Sequence, residues 1–368
     1  MLIAQNCGDL KAAAVPLIIL AVGACNLQSN PAPSPSPTSA AQSPAADLRT
    51  HLDLLLAEQV MIVAKESGAA VDHSDEYSAY TSLLATNSAD LTAIVARAYG
   101  NTAGVEFAQL WNAQNGYLVD YAIGVVTHNN DRAGSASDNL NLTFVPHFAQ
   151  FLHGLSGLPL EPVTALATQQ AGDDKALIDD VFTANFKAYY ADLHRAYGQT
   201  ALMGDSLAEQ IATAFPDKFP GDPTAKAVDA RVALSLALQE HSYLATMATD
   251  ATLGGREGER VQALAALTSN NLNLQALVQD QRFALAWAQE TTALEAYAGG
   301  NGTTSKTALT DTFVAELASI TKAPAAVISN RVEAAIKVVD DQRSKAPTIA
   351  DDDRAAATSM QPIADSVQ

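Results

Sequence analysis

Apolar residues recur every three to four positions through most of the chain, and almost no segment alternates apolar and polar residues over strand length. The first such stretch, 47–67, carries an apolar stripe made of Leu48, Leu52, Leu55, Leu56, Ile62 and Val63. The same spacing predicts further helices over 76–99, 103–127, 140–155, 161–170 and 175–193, the last continuing toward Ile211. The polar stretch 128–138 predicts a loop. The pattern therefore predicts an all-α protein.

The pattern of the first half returns in the second half. The matched segments are Asp47-Leu48-Arg49 with Asp229-Ala230-Arg231, Glu58-Gln59 with Glu240-His241, Asn87 with Asn270, Trp111 with Trp287, Gln114 with Glu290, Tyr121 with Tyr297, and Gly204-Asp205-Ser206-Leu207 with Ala364-Asp365-Ser366-Val367. A repeat of this length indicates a duplicated domain rather than a solenoid unit. We therefore predict two tandem antiparallel helical bundles, repeat 1 over 47–222 and repeat 2 over 223–368.

The first 24 residues have the features of a secretion signal. Lys11 precedes an apolar run, 12–22, that is too short for a permanent membrane helix. The run ends in Val22-Gly23-Ala24-Cys25, which resembles the lipobox of bacterial lipoproteins. We therefore predict a lipoprotein signal peptide over 1–24 and lipid attachment at Cys25.

A Pro/Ser-rich segment follows the predicted attachment site. Residues 25–46 include Pro31-Ala32-Pro33-Ser34-Pro35-Ser36-Pro37 and have no apolar pattern. Such a composition is typical of a disordered tether. Together with an acylated Cys25, it predicts an extracytoplasmic protein that is anchored to a bacterial membrane and held at a distance from it.

The charge of the chain is strongly acidic, with a formal net charge of -19. Nucleic acid as a partner is excluded, because it requires clustered Lys and Arg and the chain has no basic run. The sequence also contains no Gly-x-Ser-x-Gly, no phosphate-binding Gly-rich loop and no His-Glu-x-x-His. We therefore predict that the protein is not an enzyme.

Polar residues stand at matched positions on otherwise apolar helix faces. In repeat 2 these are Glu240, His241 and Glu290, whose carboxylates and imidazole are metal ligands in helical bundles. Repeat 1 has Gln59 and Gln114 at two of these positions, and glutamine is a poor ligand for transition metals. The other interpretation is structural: such groups form hydrogen bonds across the bundle, which Gln does as well as His. In that interpretation the two matched Trp residues are core anchors.

The repeated motifs resemble helical repeats of secreted Gram-positive surface proteins, some of which are attached to copper-amine-oxidase-like N-terminal modules. The motifs are Leu48-Arg49 with Leu52, Leu110-Trp111, Ala196-Tyr197, Gly204-Asp205 and Phe215-Pro216-Asp217-Lys218-Phe219. The resemblance implies a helical fold and a location in the cell envelope. This chain departs from the pattern at its histidines, which are replaced by Gln59, Gln114, Gln199 and Glu290, so that only His241 remains.

Two hypotheses for function follow. The first is a membrane-anchored cell-envelope lipoprotein whose bundles form a non-catalytic binding or structural module, without a cofactor, for a protein or small-molecule partner. The alternative is a ferritin-like bundle that handles copper or iron through Glu240, His241 and Glu290. Metal analysis of the purified protein separates the two.

Overall fold

The computed structural model describes residues 41–367, and within this range it contains helices and no strand, which confirms the all-α prediction. The helices are α1 (Pro44–Val71), α2 (Glu76–Tyr99), α3 (Asn101–Val126), α4 (Asn130–Asp138), π1 (Asn139–Phe144), α5 (Val145–Ser156), α6 (Leu160–Phe182), α7 (Phe186–Ala214), α8 (Lys226–Leu253), α9 (Glu257–Val278), α10 (Gln281–Ala298), α11 (Gly302–Thr307), π2 (Ala308–Phe313), α12 (Val314–Ile320), α13 (Ala325–Ser344), α14 (Ile349–Thr358) and α15 (Gln361–Val367). None of these helices combines the length and apolar character that a bilayer crossing requires. The predicted signal peptide, Cys25 and most of the predicted tether lie outside the described residues.

Helix α1 begins earlier than the predicted end of the tether. The hydroxyl of Ser43 accepts a hydrogen bond from the backbone N–H of Ala46 at 3.2 Å, and Pro44 occupies the first turn, where its missing N–H costs nothing. Ala45 and Ala46 are fully buried. The tether predicted over 25–46 therefore ends before Ser43, because its last residues cap and start a helix.

The predicted loop 128–138 is instead largely helical. The side chain of Asn129 caps α4 by accepting from the N–H of Arg132 at 3.0 Å. The chain then continues through π1 into α5 without a turn. The prediction was wrong because the polar residues of α4 reflect an exposed helix rather than a loop.

The long helix predicted from 175 toward Ile211 is broken. The chain leaves α6 at Thr183, and Ala184 adopts a left-handed conformation with φ of 53°. Helix α7 then starts at Phe186. Apolar periodicity missed the break because both helices bury apolar residues next to it, as Val181 and Tyr189 show.

Helices α1 and α8 form the centre of the body, and most of their side chains are buried. One apolar cluster surrounds Trp111 and a second surrounds Trp287, and both indoles are fully buried as core anchors. The second cluster includes Met61 and Tyr189, so repeat 1 completes the core of repeat 2.

Residues 41–367 belong to one compact unit. The boundary predicted between residues 222 and 223 falls in the connection between α7 and α8, inside this unit.

Two matched arginines join the ends of the repeats. Each arginine pairs with the aspartate of the Gly/Ala-Asp-Ser motif of its own repeat and with an aspartate at the start of the other repeat. The contacts are Arg49 Nε to Asp205 Oδ1 at 2.5 Å, Arg49 Nη1 to Asp229 Oδ1 at 2.6 Å, Arg231 Nε to Asp365 Oδ1 at 2.8 Å and Arg231 Nη1 to Asp47 Oδ1 at 2.6 Å. The repeated motifs thus serve to hold the two halves together.

Candidate functional site

A cavity of about 740 Å³ opens where the ends of α1, α6 and α8 meet the starts of α2, α7 and α9. Both repeats line it, repeat 1 through Lys65, Glu76 and Phe186 and repeat 2 through Asp250 and Glu259. Its size lies within the range of cavities that hold small molecules. The cavity is therefore the candidate ligand site of the described residues.

Lys65, one of the lining residues, forms a buried ion pair between the repeats. The ammonium of Lys65, on α1, pairs with the carboxylate of Asp353, on α14. Tyr80 and Thr246 donate to the same carboxylate at 3.0 and 2.8 Å. Lys65 also donates to Thr246 at 2.8 Å. All four groups are buried and mutually hydrogen-bonded, so the charge of Lys65 is neutralised within the protein.

A second cation at the cavity is neutralised by three carboxylates. The guanidinium of Arg256 lies 2.5 Å from Asp250, 2.7 Å from Glu259 and 3.3 Å from Asp72. Asp72 follows α1, whereas the other three residues belong to repeat 2. This cluster carries more negative than positive charge.

Glu76, in the first turn of α2, is the acidic group of the cavity with the most altered titration. Burial, reinforced by the neighbouring Asp250 carboxylate, raises the pKa of Glu76 to about 7. Among the described residues, its carboxylate has neither an ion-pair partner nor a side-chain hydrogen bond. Carboxyl groups of this kind are enriched at binding and catalytic sites.

The structure places the three predicted metal ligands of repeat 2 in two different environments. His241 Nε2 lies 3.3 Å from Glu290 Oε2, and its Nδ1 lies 3.3 Å from the amide oxygen of Asn270. Glu240 is oriented differently: its carboxylate contacts Asn270 at 3.0 Å and His194 at 2.6 Å. Residues 240 and 241 diverge because successive side chains of a helix are about 100° apart around its axis.

A guanidinium stands beside the predicted ligands. Arg331, on α13, is fully buried and donates to Glu290 Oε1 at 3.1 Å, and burial lowers its pKa. It supplies the positive charge beside Glu290 that a metal ion would otherwise supply, so this donor set does not suit a cation. Within residues 41–367, no three His, Cys, Asp or Glu side chains are grouped to hold a metal ion.

Repeat 1 has an uncharged version of the same network. Gln170 Nε2 donates to Gln59 Oε1 at 2.9 Å, and Gln114 Nε2 lies 3.4 Å from Asp174 Oδ2. The alignment of the two repeats pairs Gln170 with Arg331. The three glutamines Gln59, Gln114 and Gln170 therefore correspond to His241, Glu290 and Arg331 of repeat 2. Burial, together with the adjacent Asp173, raises the pKa of Asp174 to about 8. All these groups are buried and hydrogen-bonded across the bundle, the arrangement that the structural interpretation predicts.

Sequence reasoning missed the residues of the cavity. Lys65 and Asp353 are 288 positions apart, and no local pattern connects them. A weak signal does exist for Lys65, because a lysine on an otherwise apolar helix face requires a buried partner or a polar cavity. Asp353 lies in the second turn of α14, and its spacing from its neighbours does not indicate a buried partner.

No protein-family model, curated protein or solved structure matches this chain.

Proposed function

We propose that this protein is a non-catalytic binding module of the bacterial cell envelope, anchored by lipid at Cys25, that holds a small molecule in the cavity between its two repeats. The observation that carries the proposal is the cavity of about 740 Å³, lined by charged side chains from both repeats and by aromatic side chains from repeat 1. A concave site of this size with converging polar groups is the usual form of a small-molecule site.

The construction of the cavity supports a binding role. Its walls are the ends of long helices whose remaining lengths are packed in the core, so the lining residues stand on a rigid frame. The ion pair of Lys65 with Asp353 and the cluster around Arg256 fix charged groups before any ligand arrives. A preorganised site binds with less loss of conformational entropy.

The anchor gives the binding module a location. Acylation at Cys25, followed by the Pro/Ser tether, holds the helical body near the membrane surface while leaving it free to meet solutes. A protein in that position that binds without catalysis collects or presents its ligand at the envelope.

The metal-handling alternative has weaker support. It requires Glu240, His241 and Glu290 to converge, whereas Glu240 faces His194 and Glu290 is paired with Arg331. No contact in this network favours a metal over the hydrogen bonds that the side chains already make.

A thermal-shift panel of small amines, dicarboxylates, sugars and phosphates tests the proposed binding. The blocking variant is Gly68→Leu, since Gly68 lines the cavity and a side chain there meets open space. Its matched control is Gly116→Leu, also on a helix and also facing open space, but away from the cavity. We expect at least one compound to raise the melting temperature of the wild type and of Gly116→Leu but not of Gly68→Leu. A panel without any such compound would contradict the proposal.

A further inference from the structure

The charge around the cavity is unbalanced. Its lining includes five carboxylates, those of Asp72, Asp75, Glu76, Asp250 and Glu259. Two of the lining cations, Lys65 and Arg256, already form ion pairs with carboxylates of the protein. The lining also includes Arg343, which pairs with Asp340, and Lys345, which has no ion-pair partner among the described residues. Carboxylates therefore outnumber the Lys and Arg cations of the lining by five to four, and the carboxylate of Glu76 has no ion-pair partner among the described residues.

Glu76 and Asp250 are neighbouring carboxylates whose negative charge is incompletely compensated. Glu76 has no partner among the described residues, and Asp250 shares its single partner, Arg256, with two other carboxylates. The two carboxyl groups are close enough for the charge of Asp250 to affect the titration of Glu76. An anionic ligand would be repelled here, whereas a cation placed between Glu76 and Asp250 relieves this repulsion.

Part of the lining is aromatic. Tyr80, Phe182, Phe186 and Tyr189 line the cavity, and the hydroxyl of Tyr189 is already used to donate to the carbonyl of Ala64 at 3.0 Å. Tyr80 and Tyr189 are buried, and the ammonium of Lys65 already lies over the ring of Tyr80. The half-buried Phe182 and Phe186 therefore offer the apolar surface for a hydrocarbon chain and the ring faces for a cation. An inorganic ion would use only the carboxylates and leave this surface unfilled.

We propose that the ligand of this cavity is a small organic cation, an amine whose ammonium group binds between Glu76 and Asp250 and whose carbon chain lies against the aromatic wall. This inference rests on the proposed function, because it names the chemistry of the ligand that the cavity holds. An ammonium supplies up to three N–H donors, which suits the unpaired carboxylate of Glu76 and the neighbouring carboxylate of Asp250, which shares its one donor group, Arg256, with two other carboxylates.

A matched series of four-carbon probes, titrated into the purified protein, tests the proposal. The probes are 1,4-diaminobutane, 1,4-butanediol and succinate, which share a chain length and differ in the charge of their ends. Calorimetric titration at low salt should show binding of the diamine alone. Glu76→Gln, which keeps the shape and removes the charge, should weaken diamine binding at least tenfold, whereas the exposed Glu106→Gln should leave it unchanged.

The outcomes separate the ligand class from the proposed function. Binding of succinate or butanediol that Gly68→Leu abolishes would overturn the organic-cation inference and leave the binding function standing. Diamine binding with the same affinity in wild type and Glu76→Gln would also overturn the inference. If neither these probes nor the thermal-shift panel binds in the cavity, both the inference and the proposed function fail.

Discussion

The Nδ1 atom of His194 lies 2.6 Å from Oε1 of Glu240, so the last long helix of repeat 1 contacts the first helix of repeat 2. The matched contact runs from repeat 2 to repeat 1: Nη2 of Arg354 lies 3.1 Å from Oε2 of Glu58. In both cases a buried carboxylate on the first helix of one repeat receives its cation from the other repeat. Arg354 keeps its charge at all ordinary pH values, whereas His194, whose pKa is raised by the Glu240 carboxylate, loses its charge as pH rises.

This difference predicts a pH-dependent contribution from His194. The hydrogen bond and the charge of Glu240 raise the pKa of His194, so the folded state binds its proton more tightly than the unfolded state. The stabilisation is therefore complete below the unfolded pKa of about 6.5 and is lost as pH rises through the folded pKa. His194→Gln should lower the free energy of unfolding at pH 5.5 by no more than about 1 kcal/mol, because the side chain is 65% exposed, and by less at pH 8.5. Denaturant titrations at the two pH values measure this, and an equal loss at both would contradict it.

Removal of one partner of the buried Lys65–Asp353 pair should be costly. Lys65→Met leaves the Asp353 carboxylate buried without its counter-charge, and such losses amount to about 3–5 kcal/mol. In the alignment of the two repeats, Met247 matches Lys65 and Leu193 matches Asp353, and both apolar residues are buried in the same apolar cluster. The double variant Lys65→Met/Asp353→Leu should therefore recover most of the loss in chemical denaturation. A double variant as unstable as the single one would show that the pair has a role that apolar packing cannot replace.

The metal hypothesis has a direct test at His241. His241→Gln installs the residue that repeat 1 carries at Gln59, and an amide replaces an imidazole as donor and acceptor. Since Arg331 still neutralises Glu290, we expect a stability change of about 1 kcal/mol and unchanged metal content by elemental analysis. Stoichiometric copper or iron in the wild type that disappears in the variant would instead establish the metal-handling alternative.

Asp174 should make the protein less stable as pH rises. Its pKa of about 8 in the folded state exceeds the unfolded value of about 4, so between these values the folded state binds one more proton and stability falls with increasing pH. Asp174→Asn removes this proton binding. Relative to the variant, the wild type should lose up to about 1.4 kcal/mol of unfolding free energy per pH unit between pH 5 and 7. The exposed Asp217→Asn should follow the wild type, and parallel curves for wild type and Asp174→Asn would contradict the prediction.

The lipid anchor is tested by Cys25→Ser. The thiol is the acceptor of the acyl chain in the lipobox, so the variant should move from the membrane fraction to the soluble fraction, as detected by immunoblot. Retention of the variant in the membrane fraction at the level of the wild type would mean that another feature holds the protein there.

Local patterns were sufficient to predict most of the helices. Helix α2 has the predicted bounds, 76–99, because Gly100 ends it with a positive φ of 96° that other residues adopt only at a cost. The break at Ala184 was missed because a left-handed residue other than Gly, Asn or Asp leaves no mark in the sequence. Apolar periodicity thus locates helices well and interruptions between two buried helices poorly.

The buried polar positions were predicted only in part. Matching the repeats identified Glu240, His241 and Glu290, and all three are buried. The decisive neighbour, Arg331, was missed because its counterpart in repeat 1 is Gln170 and the pairing becomes evident only in three dimensions. The cavity could not be predicted, since it forms where segments distant in sequence end side by side.

The pairing of Lys65 with Asp353 also constrains the order in which the protein matures. A chain is synthesised amino end first, so Lys65 emerges 288 residues before the carboxylate that neutralises it. Until Asp353 arrives, burying the end of α1 would strand an ammonium group in the core. The first half of the body therefore completes its packing only after the end of the second half has been synthesised.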